Sequence, residues 1–282
     1  MAPNTWDVLS ESKRIIKSQP SLYNNLTLIF LLPLSFSTFL YQILFKHFQQ
    51  QQQQPNPTLI FSFTLSFLLF SSIFTYSAVI AITYSIYHGF FNRPIKLKEA
   101  IKSIATSFFP LLATSVVTFV IFFFIFFLII LLSGLVFFHI IYLGDTYLEN
   151  DPYYLVVLCS FAFVLMIVVF PLVMYLMVNF SLVNVIVVVE SCWGLEPLRR
   201  SWRLVKGMKR LILSTFIFFG LLQWILLWIV RYNWVFIFMI SPILAMLMLY
   251  NIAVYTMIYI YCKENHGELG EEKDGATLPL IP

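Results

Sequence analysis

The stretch GLEPLRRSWRLVKGMKR, Gly194–Arg210, carries six basic side chains and one acidic one. Both flanks are free of charge: residues 153–189 before it and 211–230 after it hold no Asp, Glu, Lys or Arg. Uncharged apolar runs of about 20 residues or more match a helical crossing of a bilayer. A cationic cluster between two such runs marks a segment held at the membrane surface, on the side where positive loops collect.

The composition of the whole chain agrees. Of 282 residues, 60% are hydrophobic, 18% aromatic and 11% charged, with a mean hydropathy of +0.88. Soluble domains carry about 25% charged residues, and 31 Phe are too many for the core of a globule of this size. Lipid is the alternative solvent. Six apolar segments follow: Leu26–Phe45, Thr58–Tyr87, Phe108–Leu143, Tyr153–Val189, Leu211–Val230 and Trp234–Tyr261. The expected fold is an all-α integral membrane protein with six transmembrane helices. The third and fourth segments exceed one crossing, but neither contains a polar turn, and an open turn in hydrocarbon leaves backbone groups unsatisfied. Each is therefore read as one long helix that tilts or protrudes. Pro33, Pro110, Pro171 and Pro242 are expected to kink their helices. The first 22 residues are polar and of mixed charge, so the first run reads as a retained anchor and not a cleaved signal.

Charge sets the orientation. The N-terminus (Lys13, Arg14, Lys17), the second loop (Arg93, Lys96, Lys98, Lys102), the fourth loop (Arg199, Arg200, Arg203, Lys206, Lys209, Arg210) and the tail (Lys263, Lys273) fall on one side of a six-span chain. These are 15 of the 17 basic residues, leaving Lys46 and Arg231 opposite. The positive-inside rule then places both termini in the cytosol. The acidic loop Gly144–Pro152 faces away, and Gln49–Gln54 with the following PNP reads as a flexible connector. Sequons at Asn25 and Asn179 fall in the cytosol and the membrane, where no sugar is added. Cys159, Cys192 and Cys262 show no CxxC pairing, which argues against a disulfide or metal site. They read as apolar filler, with acylation of Cys192 or Cys262 as the rarer alternative.

Helical spacing separates charge from apolar surface in three places. In the opening stretch Leu195, Leu198, Trp202, Val205 and Met208 fall on one side and the cations on the other, with Pro197 in the first turn. In the N-terminal stretch Trp6, Val8, Leu9, Ile15 and Ile16 share a face, with Thr5 as the expected N-cap and Asp7 suited to the first turn. From Arg93 to Ile104, Leu97, Ile101 and Ile104 form a stripe among Lys96, Lys98, Glu99 and Lys102. Such helices lie flat at an interface, each cation adding about 1 kcal/mol near an anionic surface. The expected membrane partner is therefore anionic lipid, not nucleic acid. Each helix precedes two spans, so the single membrane domain 1–262 also reads as units 1–90, 91–190 and 191–262. A true repeat and a recurrence imposed by topology both fit. Residues 263–282 read as a disordered acidic tail in the cytosol.

Val183–Gly207, VNVIVVVESCWGLEPLRRSWRLVKG, has an apolar run ending in an acid, then a short turn and an LRRSW.L.KG pattern. It resembles the glycerophosphodiester phosphodiesterase membrane-domain type of integral membrane protein. The stretch from Trp6 to Phe36 is similar to a group of plant multi-pass proteins. These resemblances cover about 60 residues and imply a six-span helical bundle in a plant endomembrane or the plasma membrane. They do not imply phosphodiesterase activity, which resides in a separate soluble barrel.

Ionisable and polar residues inside spans are the default functional candidates. His139 sits near the outer end of the third span, where a hydrogen bond to a carbonyl or interfacial water accounts for it. Glu190 ends the fourth span, where an ion pair with Arg199 or Arg200 is favoured over catalysis. Asn179, Asn184, Gln223 and Asn251 are expected to bond between helices, with a substrate path as the alternative. No P-loop, GxSxG, HExxH, paired acidic cluster or spaced histidine set is present. No cofactor is implied, and the balance leans away from an enzyme. Two functional classes remain: a structural, scaffold or trafficking-related membrane protein, with membrane-protein partners, and a transporter or lipid-moving protein.

Overall fold

The computed structural model describes residues 4–51, 57–147, 153–232 and 237–268, and among them there is no strand. The helices are α1 (Thr5–Ser18), α2 (Pro20–Leu26), a π-turn (Thr27–Leu31), α3 (Leu32–Gln51), α4 (Pro57–Phe90), α5 (Leu97–Tyr147), α6 (Tyr153–Asn179), α7 (Val183–Glu190), α8 (Glu196–Leu204), α9 (Lys209–Tyr232) and α10 (Ile237–Asn265). Six stretches of helix are long and apolar enough to cross a membrane.

Local chemistry explains most boundaries. Asn4, not Thr5, caps α1: it forms a capping box with Asp7, whose carboxylate accepts the Asn4 N–H at 2.9 Å. Gln19 precedes Pro20 and leaves the helical region, which separates α1 from α2. The π-turn ends at Leu31, two residues before Pro33, with the Leu32 N–H bonding the Thr27 carbonyl. Proline has no N–H to return to the carbonyl four residues back, so the ladder shifts register there. Inside the spans Ser66, Ser72, Ser85, Thr114 and Thr118 donate to carbonyls four residues earlier. Their hydroxyls are thus satisfied without leaving the helix.

α10 is the spine of the bundle. Leu249, Ala253, Val254, Met257, Ile258 and Ile260 are fully buried, and the helix packs against α1, α3, α4, α7 and α9. A buried hydroxyl pair, Ser35–Ser241 at 2.8 Å, joins α3 to α10. α5 is the opposite case. It runs for 51 residues, roughly 75 Å of helix, and leaves Phe109, Phe119, Phe124 and Ile130 between 63% and 73% exposed. α6 continues that surface with Phe163, Met166 and Val168. Bare apolar surface of this extent belongs in hydrocarbon.

Three expectations need correction. The fourth apolar segment is not one helix: residues 180–182 form a turn between α6 and α7. Basic residues 93–104 do not form a separate helix, because α5 starts at Leu97 and continues unbroken into the span. The tail does not start at 263. Helix α10 runs to Asn265, and Gly267, at φ +75°, closes it with bonds from Gly267 N to the Glu264 carbonyl and from Glu268 N to the Lys263 carbonyl. That is a Schellman ending, which a glycine at C′ permits. Residues 269–282 and most of the loop 144–152 lie outside the described residues.

α1 docks where α4 has a glycine. A Cβ on Gly89 would meet Ile15 Cγ2 at 3.2 Å and the Tyr23 hydroxyl at 3.4 Å. Gly89→Val is expected to destabilise the docked α1 by about 1–3 kcal/mol. Trypsin cleavage at Lys13, Arg14 and Lys17 in the detergent-solubilised chain should then quicken several-fold; unchanged cleavage would show that this contact does not hold α1.

Candidate functional site

α1, the α4–α5 connection, the segment 190–210 and the end of α10 meet at one end of the bundle. Ile15 faces Gly89, the Thr5 hydroxyl lies 3.4 Å from that of Ser214, and Arg200 reaches Glu268. The cation-rich segments therefore share one end.

Its centre is Arg200. The turn after α7 is made by Ser191 (φ +52°) and Gly194 (φ +80°), and the Gly194 N–H donates to Thr114 Oγ1 of α5 at 3.1 Å. This sets α8 back over the end of α7. Arg200 Nε then donates to both Glu190 oxygens at 3.2 and 3.3 Å. Its terminal nitrogens donate to Glu268, Nη1 to Oε1 at 3.1 Å and Nη2 to Oε2. Tyr259 of α10 donates its hydroxyl to Glu190 at 2.8 Å. The Arg200 and Glu190 side chains are 23% and 21% exposed. Burial alone would lower the basicity of Arg200, but the carboxylates of Glu268 and Glu190 outweigh it and hold the guanidinium above its usual pKa.

Two further ties lock α8 and α9 in place. Ser201 Oγ donates to the Asn179 carbonyl at 2.6 Å, so α8 satisfies the backbone at the α6–α7 break. Lys209 Nζ donates to the Tyr175 hydroxyl at 3.3 Å and lies 4.5 Å from that ring's centroid, while Trp202 meets Tyr175 edge-on. Cys192 sits beside the cluster. Burial, with Glu190 and Glu196 adding to it, pushes its thiol up to about 11.

The predicted site residues divide. Of the twelve cations predicted to face lipid, Lys13, Arg14, Lys17, Lys96, Lys98, Lys102, Arg199, Arg203, Lys206 and Arg210 are exposed, and Arg14 also pairs with Glu11. Arg200 and Lys209 instead turn inward onto protein groups. The apolar stripes are also corrected. Val8, Ile15 and Ile16 of α1 are buried in the bundle, as are Leu198 and Leu204 of α8. Val205 and Met208 lie beyond the end of α8, in turns, and are buried too. Large apolar residues left outside at this end include Trp6, Trp193, Leu195 and, in the third predicted stripe, Ile101, at 70%, 68%, 54% and 43% exposure.

The expected amide contacts between helices are not seen. Asn179 bonds its own helix, Nδ2 to the Tyr175 carbonyl at 2.7 Å, and its buried Oδ1 has no partner. Asn184 is exposed and Gln223 half-buried, and Asn251 Oδ1 is buried without a partner. Glu190 alone of the six polar candidates joins the Arg200 cluster, and the side chain of His139 lies outside the described residues. Tyr259, Glu268, Ser201 and Thr114 were not foreseen. Only Gly267, just past a helix with Lys263 in its last turn, signalled in sequence the turn that carries Glu268. Among the described residues no group of three or more His, Cys, Asp or Glu is placed to hold a metal.

A family model described as a domain of unknown function, DUF8558, matches residues 49–273. The chain belongs to this DUF8558 family. No curated protein matches it, and no solved structure does. The match takes in every member of the Arg200 cluster and stops short of α1, α2 and nearly all of α3.

Two outcomes follow from this geometry. Arg200→Met should cost about 2 kcal/mol, because Glu190 loses its cation while half-buried; Glu268, at the surface, can turn to water. In thermal unfolding, Glu190→Gln combined with Arg200→Met should be less damaging than the sum of the single changes. Additive losses would mean that the pair is not coupled. Cys192 should be nearly inert to iodoacetamide at pH 8, where a thiol of pKa about 11 is only about one part in a thousand thiolate. Its labelling, read by peptide mass spectrometry, should climb as pH approaches 11.

Proposed function

We propose that this chain is an integral membrane protein with a structural, scaffold or trafficking-related role. Its two termini lie in the cytosol, and its cytosolic face is held against anionic lipid by exposed cations, in the endoplasmic reticulum or plasma membrane. The observation that carries this reading is the surface of the basic end: Arg199, Arg203, Lys206 and Arg210 are exposed next to exposed Trp193 and Leu195. Tryptophan favours the headgroup level of a bilayer, and cations there meet lipid phosphate. Because the helices already bury Leu198, Leu204 and Ile15 in the protein, they act as a fixed platform and not as free amphipathic segments. The resemblance of residues 183–207 to the glycerophosphodiester phosphodiesterase membrane domain, and of the N-terminus to plant multi-pass proteins, belongs to the same proposal, without the catalytic barrel.

The interrupted span supports a second reading, a transporter or lipid-moving protein. Helices broken within the membrane line the binding sites of many transporters, and Asn179 at this break has a buried oxygen without a partner. Loss of flux in a well-folded Asn179→Ala protein would favour transport.

For the first reading, the chain is reconstituted and the association of spin-labelled phosphatidylserine is compared with that of phosphatidylcholine. The wild type should select the anionic lipid several-fold at low salt. Selectivity should fall towards one in 1 M salt, or when Arg199, Arg203, Lys206 and Arg210 are all changed to Gln. A selectivity of one in the wild type would reject the reading. Lys206→Cys, in a chain with its own cysteines replaced, should react with an impermeant maleimide from the cytosolic side only.

A further inference from the structure

The start of α1 and the start of α9 enclose a cleft of about 690 Å³, lined by Asn4, Thr5, Lys209, Arg210, Leu211 and Ser214 among others. We propose that it binds one phospholipid by its phosphate, with an acyl chain running down the α1–α9 seam.

The polar end of the cleft fits a phosphate. Arg210 is exposed and has no carboxylate partner among the described residues. Its planar guanidinium offers the fork of donors that suits phosphate oxygens. Lys209 adds positive potential from behind, although its ammonium is engaged with Tyr175. The Thr5 and Ser214 hydroxyls face each other at 3.4 Å, too long for a strong hydrogen bond, so both can turn to a ligand oxygen. The nearest acid on α1, Asp7, spends its carboxylate on the Asn4 N–H inside the capping box, and Glu11 is paired with Arg14. The balance of charge at the cleft is therefore positive.

Beyond the cleft, the α1–α9 seam is apolar. One helical turn past Ser214, Phe218 meets Trp6 of α1 edge-to-face, with ring centroids 6.4 Å apart. Trp6 is nevertheless 70% exposed, and Ile217 and Leu221 continue the exposed apolar face of α9. An anion alone would use only the polar end. A lipid uses both, and that contrast favours a lipid over free phosphate. A soluble globular partner is disfavoured, because the seam opens onto the same apolar surface that faces hydrocarbon.

The inference rests on the reading of this end as a membrane interface, but its test is separate. The full chain in neutral detergent is titrated with dioctanoyl phosphatidic acid, dioctanoylglycerol or inorganic phosphate, and adducts are counted by native mass spectrometry. One phosphatidic acid should bind per chain, with dioctanoylglycerol and inorganic phosphate each at least about tenfold weaker. Arg210→Gln should weaken binding about tenfold, the loss of one charge-assisted hydrogen-bonding group. Thr5→Val with Ser214→Ala should weaken it several-fold without changing net charge. Arg93→Gln removes an equal charge from the same end outside the cleft, and its affinity should stay within about twofold of the wild type. Equal binding of inorganic phosphate, equal losses in Arg93→Gln and Arg210→Gln, or several equivalent adducts would each overturn the site. A bilayer selectivity of one together with a single Arg210-dependent adduct would reject the interfacial reading and leave the cleft standing.

Discussion

A guanidinium that is mostly withdrawn from water at the end of an apolar bundle has to be met by negative charge. Arg200 imposes that requirement, and the basic end is arranged around it. Glu190 comes from the last residue of α7, Glu268 from the turn that closes α10, and Tyr259 from the spine of the bundle. The ends of α7 and α10 are thereby drawn to α8: Arg200 binds both carboxylates, and Tyr259 donates to Glu190. The desolvation of each charge is offset only while all three stay in place, so the cluster specifies an arrangement more than it adds stability. The positions of α8, of the Ser201 bond to Asn179 and of the start of α9 follow from it.

The molecule divides its surface by the solvent each part meets. α10 is enclosed, and its small and branched residues pack on the surrounding helices. α5 and α6 keep Phe, Met and Val outward along most of their described length, a surface compatible with a lipid surround. Most cations gather at one end, where ten predicted lipid-facing side chains are exposed and two are turned inward. The proposed lipid cleft sits on this border. One of its walls, α9, lies inside the region matched by the family model and the other, α1, outside it, so its lipid preference would depend on an element beyond the shared domain.

Much of this was legible in the chain itself. Long uncharged runs and the one-sided cations predicted six crossings and gathered the basic segments together, because hydrocarbon tolerates only internally bonded backbone and few charges. The helix break at 180–182 was not legible. Asn179 and Ser181 stand alone in an apolar run, and what makes the turn tolerable is a hydroxyl arriving from Ser201, 22 residues on. The fusion of residues 97–104 with the third span was missed for a related reason: no cap or glycine separates them, and charge pattern alone does not end a helix. The stripes expected in α1 and α8 contain several residues that are in fact buried in the bundle, because lipid and protein look alike to a helical wheel. Gly89, which admits Ile15, is what turns the α1 stripe inward.

The sequence alone determined the helical class of this protein, its six helices long and apolar enough to span a membrane, and the end at which its positive charge collects, since these depend on composition and on spacing along one chain. Only the tertiary structure decided which of two adjacent arginines is clasped, that Glu268 belongs to the folded body, and that Thr5, Arg210 and Ser214 line one cleft. Those outcomes depend on distances between side chains far apart in sequence, and no local periodicity encodes such distances.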